Sequence, residues 1–274
     1  MPRPQLRLVK KIAAAALLLP CLSIPAWAQK NAPVACPARP IVLGLYEFGH
    51  YYHAGVGLDK DVAEQLIKRS GCAFELRVMP RRVIWQGMQS GTVDMTLSAA
   101  ATPERTMFSY AEPYLWIKNM IILRKEVDPR IRSTADFMAE PNLRLGIGRG
   151  FVPGAAYEEF VAQLRNIGRV EDVDDADRMY AMFKAGRFQA VLGSQLVYSS
   201  YLRDEIQANQ VRIEDWNPGK PRGTINLLVA KKSFSAEEAR RWGDLMKGIT
   251  ADGTMLRLVS RYIDQESAAR MLLP

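Results

Sequence analysis

Only two histidines and three cysteines occur in the 274 residues, and that scarcity removes whole classes of chemistry. No serine or cysteine has a histidine partner at a recognisable catalytic spacing, so an activated nucleophile is not encoded in a familiar form. The two imidazoles, His50 and His53, share a loop with Glu47 at three-residue intervals, and zinc or copper can use such groups. Gly49, Gly55 and Gly57 make that loop too pliant to fix ligands, so no metal is expected. A phosphate-cradling loop is missing, and no cofactor is expected. No lysine- and arginine-rich stretch is interleaved with aromatics, which argues against a nucleic-acid partner. Long apolar runs are missing too: the one present, Ile12 to about Ile24, falls short of the ~20 residues a bilayer core demands.

That run reads as an address. Arg3, Arg7, Lys10 and Lys11 precede it, and Ala26-Trp27-Ala28 has small residues at both recognition positions, so residues 1–28 are expected to be a signal peptide cleaved after Ala28. The periplasm is the expected location. A lipid anchor on Cys21 is the rival reading, and Pro20 just before it fits lipidation badly. The leader takes four of the 37 basic residues and none of the 29 acidic ones, which leaves the other 246 residues at a net +4. At 48% apolar composition overall, they can fill two packed lobes. Export leaves Cys36 and Cys72, an even number for an oxidising compartment. If the strands that follow them pair in parallel, both thiols share a sheet edge, and a disulfide would close a loop of about 36 residues. Two unpaired thiols are the alternative.

The chain is a repeat in disguise. Strand Ile41 to Tyr46, helix Asp59 to Arg69, strand Phe74 to Met79, helix Arg82 to Ser90 and strand Val93 to Leu97 form one βαβαβ order. Strand Leu143 to Ile147, helix Pro153 to Arg165, a strand near Arg169 to Val173, helix Ala176 to Ala185 and strand Gln189 to Leu192 form another. Each unit implies a small sheet with a ligand-receptive rim at its strand carboxyl ends. Trp116 to Lys125 reads as a long strand leaving the first lobe, and Thr224 to Ala230 as one returning to it. A capped helix from Ser235 and another from Thr254 to Ile263 should complete lobe one. Lobe one is thus expected at 29–118 and 224–274, with lobe two, 119–223, inserted.

One stretch stands out. After the strand ending at Leu97, the small residues Ser98 to Ala101 lead to Thr102-Pro103-Glu104-Arg105, where Thr102 can cap a helix that Pro103 begins and Arg105 adds a forked donor suited to a small carboxylate. An ion pair of Arg105 with Glu112 is the plainer alternative. The strand carboxyl ends also present Tyr46, Glu47, Phe48, Ala100, Arg149, Gly150, Phe151 and Ser194, with Tyr51, Tyr52 and Trp85 as possible aromatic walls.

Thr102-Pro103-Glu104-Arg105, followed by Phe108-Ser109 and Pro113-Tyr114, and Gly57-Leu58-Asp59-Lys60-Asp61-Val62-Ala63 before them, resemble the family 3 extracellular solute-binding proteins of bacterial ABC importers. The resemblance runs from about Arg39 to the C-terminus. It implies an α/β fold of the periplasmic-binding-protein type II, two lobes on a two-stranded hinge, closing on a solute and acting as a monomer with an ABC permease. It assigns Arg105, with the polar rim at Ser98, to a ligand carboxylate. Ala100 replaces a common Ser or Thr, Phe151 and Val152 replace hydroxyls, and Ser194 replaces an acid that would meet the ligand ammonium. Either Glu47 takes the amine, or the ligand has none. Arg149 would favour a second acidic group. The expected function is therefore capture of a small carboxylated, amino-acid-like solute. The alternative is a dehydratase- or lyase-type enzyme on the same scaffold, with Glu47 as a lone general acid.

Overall fold

In the computed structural model the short apolar runs become the central strands of two five-stranded sheets. The structure describes Met1 and residues 34–220 and 222–273; the expected leader and Cys21 lie outside the described residues, Met1 apart. Among the described residues no helix is long and apolar enough to cross a membrane.

Lobe one opens with β1 (Ile41–Leu45), α1 (Leu58–Ser70), β2 (Phe74–Val78), α2 (Arg81–Ser90), β3 (Met95–Ala99), the short α3 (Pro103–Phe108) and β4 (Ser109–Ile117). β1 is buried along its whole length because it pairs in parallel with β2 and β3, one on each side. Only glycine fits just before α1: Gly57 has φ +142°, and a Cβ there would lie 2.4 Å from the Tyr51 carbonyl oxygen.

The chain then crosses to lobe two, with β5 (Met120–Arg124), α4 (Thr134–Ala139), β6 (Leu145–Gly148), α5 (Glu158–Asn166), β7 (Val170–Val173), α6 (Ala176–Lys184), β8 (Ala190–Gly193), α7 (Gln195–Tyr201), α8 (Arg203–Gln207) and β9 (Val211–Glu214). It returns as β10 (Gly223–Ala230), α9 (Ala236–Ala251), α10 (Thr254–Val259) and α11 (Gln265–Met271). The sheet orders are β2-β1-β3-β10-β4 and β7-β6-β8-β5-β9, so the repeat seen in the sequence recurs as topology. These are two α/β lobes on a two-stranded hinge, the class expected. Lys118 and Asp215, one on each crossing segment, form an ion pair there.

The Cys36–Cys72 disulfide is present, with Cα atoms 5.3 Å apart, and ties the lead-ins of β1 and β2 at the sheet edge away from the strand carboxyl ends. On one face of the first sheet, Trp242 of α9 is fully buried and meets Phe74 and Phe234 edge-on at 5.7 and 6.5 Å. The capping box of Ser235 and Glu238 starts that helix, as the sequence indicates.

Four elements differ from the sequence reading. The strand expected at Val93 to Leu97 runs from Met95 to Ala99, because Thr92 and Val93 still donate to the Gly87 carbonyl and prolong the helix end. The long strand from Trp116 breaks at Lys118 and Asn119, where the chain changes sheets. The helix expected from Pro153 starts at Glu158: Gly154 is left-handed, φ +79°, and Asn119 Nδ2 donates to the Val152 and Pro153 carbonyls at 3.3 and 3.0 Å, holding that segment as a loop. The terminal helix stops at Val259, and a separate helix follows, capped by Asp264.

Candidate functional site

Three hydrogen bonds converge on the carboxyl end of β3. Ser98 sits at φ +52°, a strained value for a side chain other than glycine, and three partners hold it there. Its N–H donates to the Tyr114 hydroxyl at 3.0 Å, its carbonyl accepts from the Tyr46 hydroxyl at 2.7 Å, and its own hydroxyl donates to Asp59. Burial pushes the Asp59 carboxyl up to about 7, against the hydrogen bonds from Ser98 and Tyr114 that favour its charged form. The Ser98 hydroxyl is thus spent on the core.

Arg105 comes from the turn after that strand. Thr102 accepts from the Arg105 N–H at 3.3 Å, and Pro103 opens α3, so backbone capping presents the side chain. The side chain is 9% exposed. One guanidinium nitrogen donates to the Ala100 carbonyl at 3.0 Å, and the other crosses the gap to the Gly150 carbonyl of lobe two at 3.3 Å. Trp85 backs it, ring centroid 4.4 Å from Cζ. Both hydrogen bonds end on neutral carbonyls, and burial, the largest cause, pushes the group below its ordinary range, with the Glu104 charge acting the other way. Glu112, the alternative partner, faces Gly243 of α9 instead.

A cavity of about 320 Å³ opens beneath Arg105 between the lobes. Lobe one supplies Tyr46, Phe48, Arg81, Ser98, Ala100 and Arg105; lobe two supplies the loop from Gly150 to Ala156; the crossing segments add Lys118 and Asn119. A second cavity of about 380 Å³ adjoins it, sharing Tyr46, Phe48, Arg81 and Phe151 and reaching Glu47, Arg149 and Asp175. Such a partly apolar gap with a few fixed polar groups suits a small molecule.

The sequence model of the bacterial extracellular solute-binding proteins, family 3, matches residues 46–265. The chain belongs to that family. No curated protein sequence matches it. Solved structures that resemble it share the two-lobed type II periplasmic-binding fold. ArtJ, the arginine-, lysine-, histidine-binding protein of Geobacillus stearothermophilus, superposes with TM-score 0.69 at 16% identity, over 82% of this chain and 95% of that one. An ancestral arginine-binding protein bound to arginine gives 0.66 at 22%, over 82% and 98%. A histidine kinase sensor domain with similarity to periplasmic binding proteins gives 0.68 at 14%, over 86% and 98%. At these identities the likeness establishes the fold.

Within this family 3 solute-binding protein, the residues singled out from the sequence fall into three groups. Tyr46, Phe48, Ser98, Ala100, Arg105, Gly150 and Phe151 line the cavity beneath Arg105. Glu47 and Arg149 line only the adjoining one, each already engaged: Glu47 lies 3.0 Å from His53 Nδ1 and accepts from the Ala54 N–H, and Arg149 meets Asp174 at 2.7 Å. Trp85 and Ser194 line neither. Trp85 stands behind Arg105, and Ser194, 3% exposed, precedes α7 with its hydroxyl buried and unpartnered. Tyr51 and Tyr52 are core residues. His50 packs on Tyr262 at 5.6 Å while His53 turns to Glu47, so the two imidazoles diverge.

Sequence reasoning missed Arg81, Lys118 and Asn119. Arg81 was legible: it lies three residues past the end of β2, at the same carboxyl rim that yielded Tyr46 and Ser98. Lys118 and Asn119 were hidden inside what reads as an uninterrupted strand.

Proposed function

We propose that this protein captures a small carboxylate-bearing solute of amino-acid size in the interlobe cleft and delivers it to an ABC permease. Arg105 fixes the carboxylate, and the Gly150–Ala156 loop covers the apolar remainder as the hinge closes. The reading includes export by residues 1–28 to the periplasm, action as a monomer, and lobes divided at 29–118 with 224–274 and at 119–223.

One observation carries it: a guanidinium buried in the cavity wall, hydrogen-bonded among the described residues only to backbone carbonyls, one of them across in the other lobe. A buried cation in that state is stabilised by an incoming anion. The enzyme alternative gains nothing from the geometry, since Glu47 lies in the adjoining cavity and is held by His53.

The test is calorimetry and thermal-shift screening against amino acids and dicarboxylates, with product analysis of every binder. A ligand recovered unchanged, whose binding Arg105→Ala removes while the unliganded melting temperature stays nearly the same, supports capture. Turnover of the ligand, or full affinity in the variant, overturns it.

A further inference from the structure

The cavity beneath Arg105 is lined by three basic side chains, Arg81, Arg105 and Lys118, and by no aspartate or glutamate. Lys118 is neutralised by Asp215. Among the described residues Arg81 has no such ion-pair partner. Its Cζ lies 4.4 Å from the Tyr46 ring centroid and 4.5 Å from that of Phe48, and its Nε is buried with no hydrogen bond. The two rings hold the guanidinium in place and offer their negative faces, but they do not cancel its charge. Arg105 feels it: burial is the largest cause that lowers the Arg105 pKa and the charge of Arg81 lowers it too, while Tyr46 and Glu104 act in the opposite sense. Two cations thus line one cavity that has no carboxylate in its wall, with Glu104 outside it acting on Arg105 in the opposite sense.

Resting on the reading of the cleft as a carboxylate site, we propose that Arg81 is its second anion-binding group and that the solute is a dicarboxylate without an ammonium group. One carboxylate lies on Arg105 and the other on Arg81, and the body between them packs on Phe151, Val152 and Ile225. An α-amino acid would bring its ammonium into a space that already holds two unneutralised guanidinia, and that repulsion excludes it. The nearby acids Glu47, Asp174 and Asp175 line the adjoining cavity and not the one beneath Arg105. Glu47 is held by His53 and the Ala54 N–H, Asp174 pairs with Arg149, and Asp175 caps α6.

The test is isothermal titration of the purified protein with glutarate, phthalate, benzoate, glutamate and lysine, repeated on Arg81→Gln, Arg81→Lys and Arg105→Ala, each checked for folding by its melting curve. A dicarboxylate is expected to bind at least about tenfold more tightly than benzoate, the difference one charge-assisted contact makes. Arg81→Gln should weaken the dicarboxylate on the order of 10- to 100-fold and leave benzoate unchanged, with Arg81→Lys recovering part of the loss. Should Arg81→Gln not fold, the same comparison is made with Arg81→Lys. Tighter binding of glutamate or lysine than of either dicarboxylate overturns the proposal, as does an Arg81→Gln variant that weakens all ligands equally or none. Either result leaves the Arg105 reading standing if Arg105→Ala still abolishes binding. If no carboxylate binds, or if Arg105→Ala changes nothing, both readings fall.

Discussion

The two lobes descend from the same βαβαβ order yet face the cleft with different chemistry. Lobe one offers charge: Arg81 at the start of α2 and Arg105 in the first turn of α3, one clamped between Tyr46 and Phe48 and the other backed by Trp85. Lobe two offers backbone and apolar surface from the Gly150–Ala156 loop, and its one exposed cation there, Arg149, is spent on Asp174. A shared topology therefore does not imply a shared role. On the proposed reading, the side chains of lobe one set where an anion sits and the loop of lobe two sets how well it is covered.

Four changes would break or sharpen that contrast. The largest is Arg105→Ala, which strips the charged lobe of its buried cation and should cost on the order of 2–5 kcal/mol of carboxylate affinity, read by titration calorimetry. Next, removing the Cys36–Cys72 bridge should lower unfolding free energy by about 2–4 kcal/mol in denaturant melts. Ligand affinity should stay constant, because the bridge lies at the end of lobe one's strands away from the cleft.

Asp59 gives an effect with a definite sign. Its folded value near 7 lies above the ordinary 3.8, so between those two values the folded chain holds a proton that the unfolded chain has lost. The stability this lends is complete below about pH 4 and is lost as pH rises through 7, at no more than about 1.4 kcal/mol per pH unit. Asp59→Asn, which keeps an acceptor for the Ser98 hydroxyl, should flatten that decline in denaturation midpoints taken from pH 4 to 8. The smallest effect belongs to the cover: Phe151→Ala should weaken solute binding by roughly fivefold to tenfold, by loss of apolar contact, with little change in melting temperature. If Phe151→Ala proved as damaging as Arg105→Ala, the division between a charged lobe and a covering lobe would fail.

Part of the site is legible in the sequence. Thr102, Pro103 and Arg105 announce a capped turn that presents a guanidinium, and that local chemistry is what the structure contains. The roles of Ser98 and Ser194 were not legible, because a hydroxyl at a strand end can face the cleft or the core. Ser98 turns inward because Asp59, from a helix 39 residues earlier, accepts its proton. Pro153 to Tyr157 read as the start of a helix until Asn119, from the crossing segment, is seen holding the Val152 and Pro153 carbonyls.

The sequence by itself determined the alternation of strands and helices, the capped turn carrying Arg105, and the two cysteines able to join neighbouring strands, since these rest on periodicity and on contacts a few residues apart. Only the tertiary structure decided that Arg81 and Arg105 share one cavity free of acids and that Gly150 meets Arg105 from the far lobe. The physical reason is that charge compensation in a buried space depends on which side chains long-range folding brings within a few ångströms, and no local pattern records that.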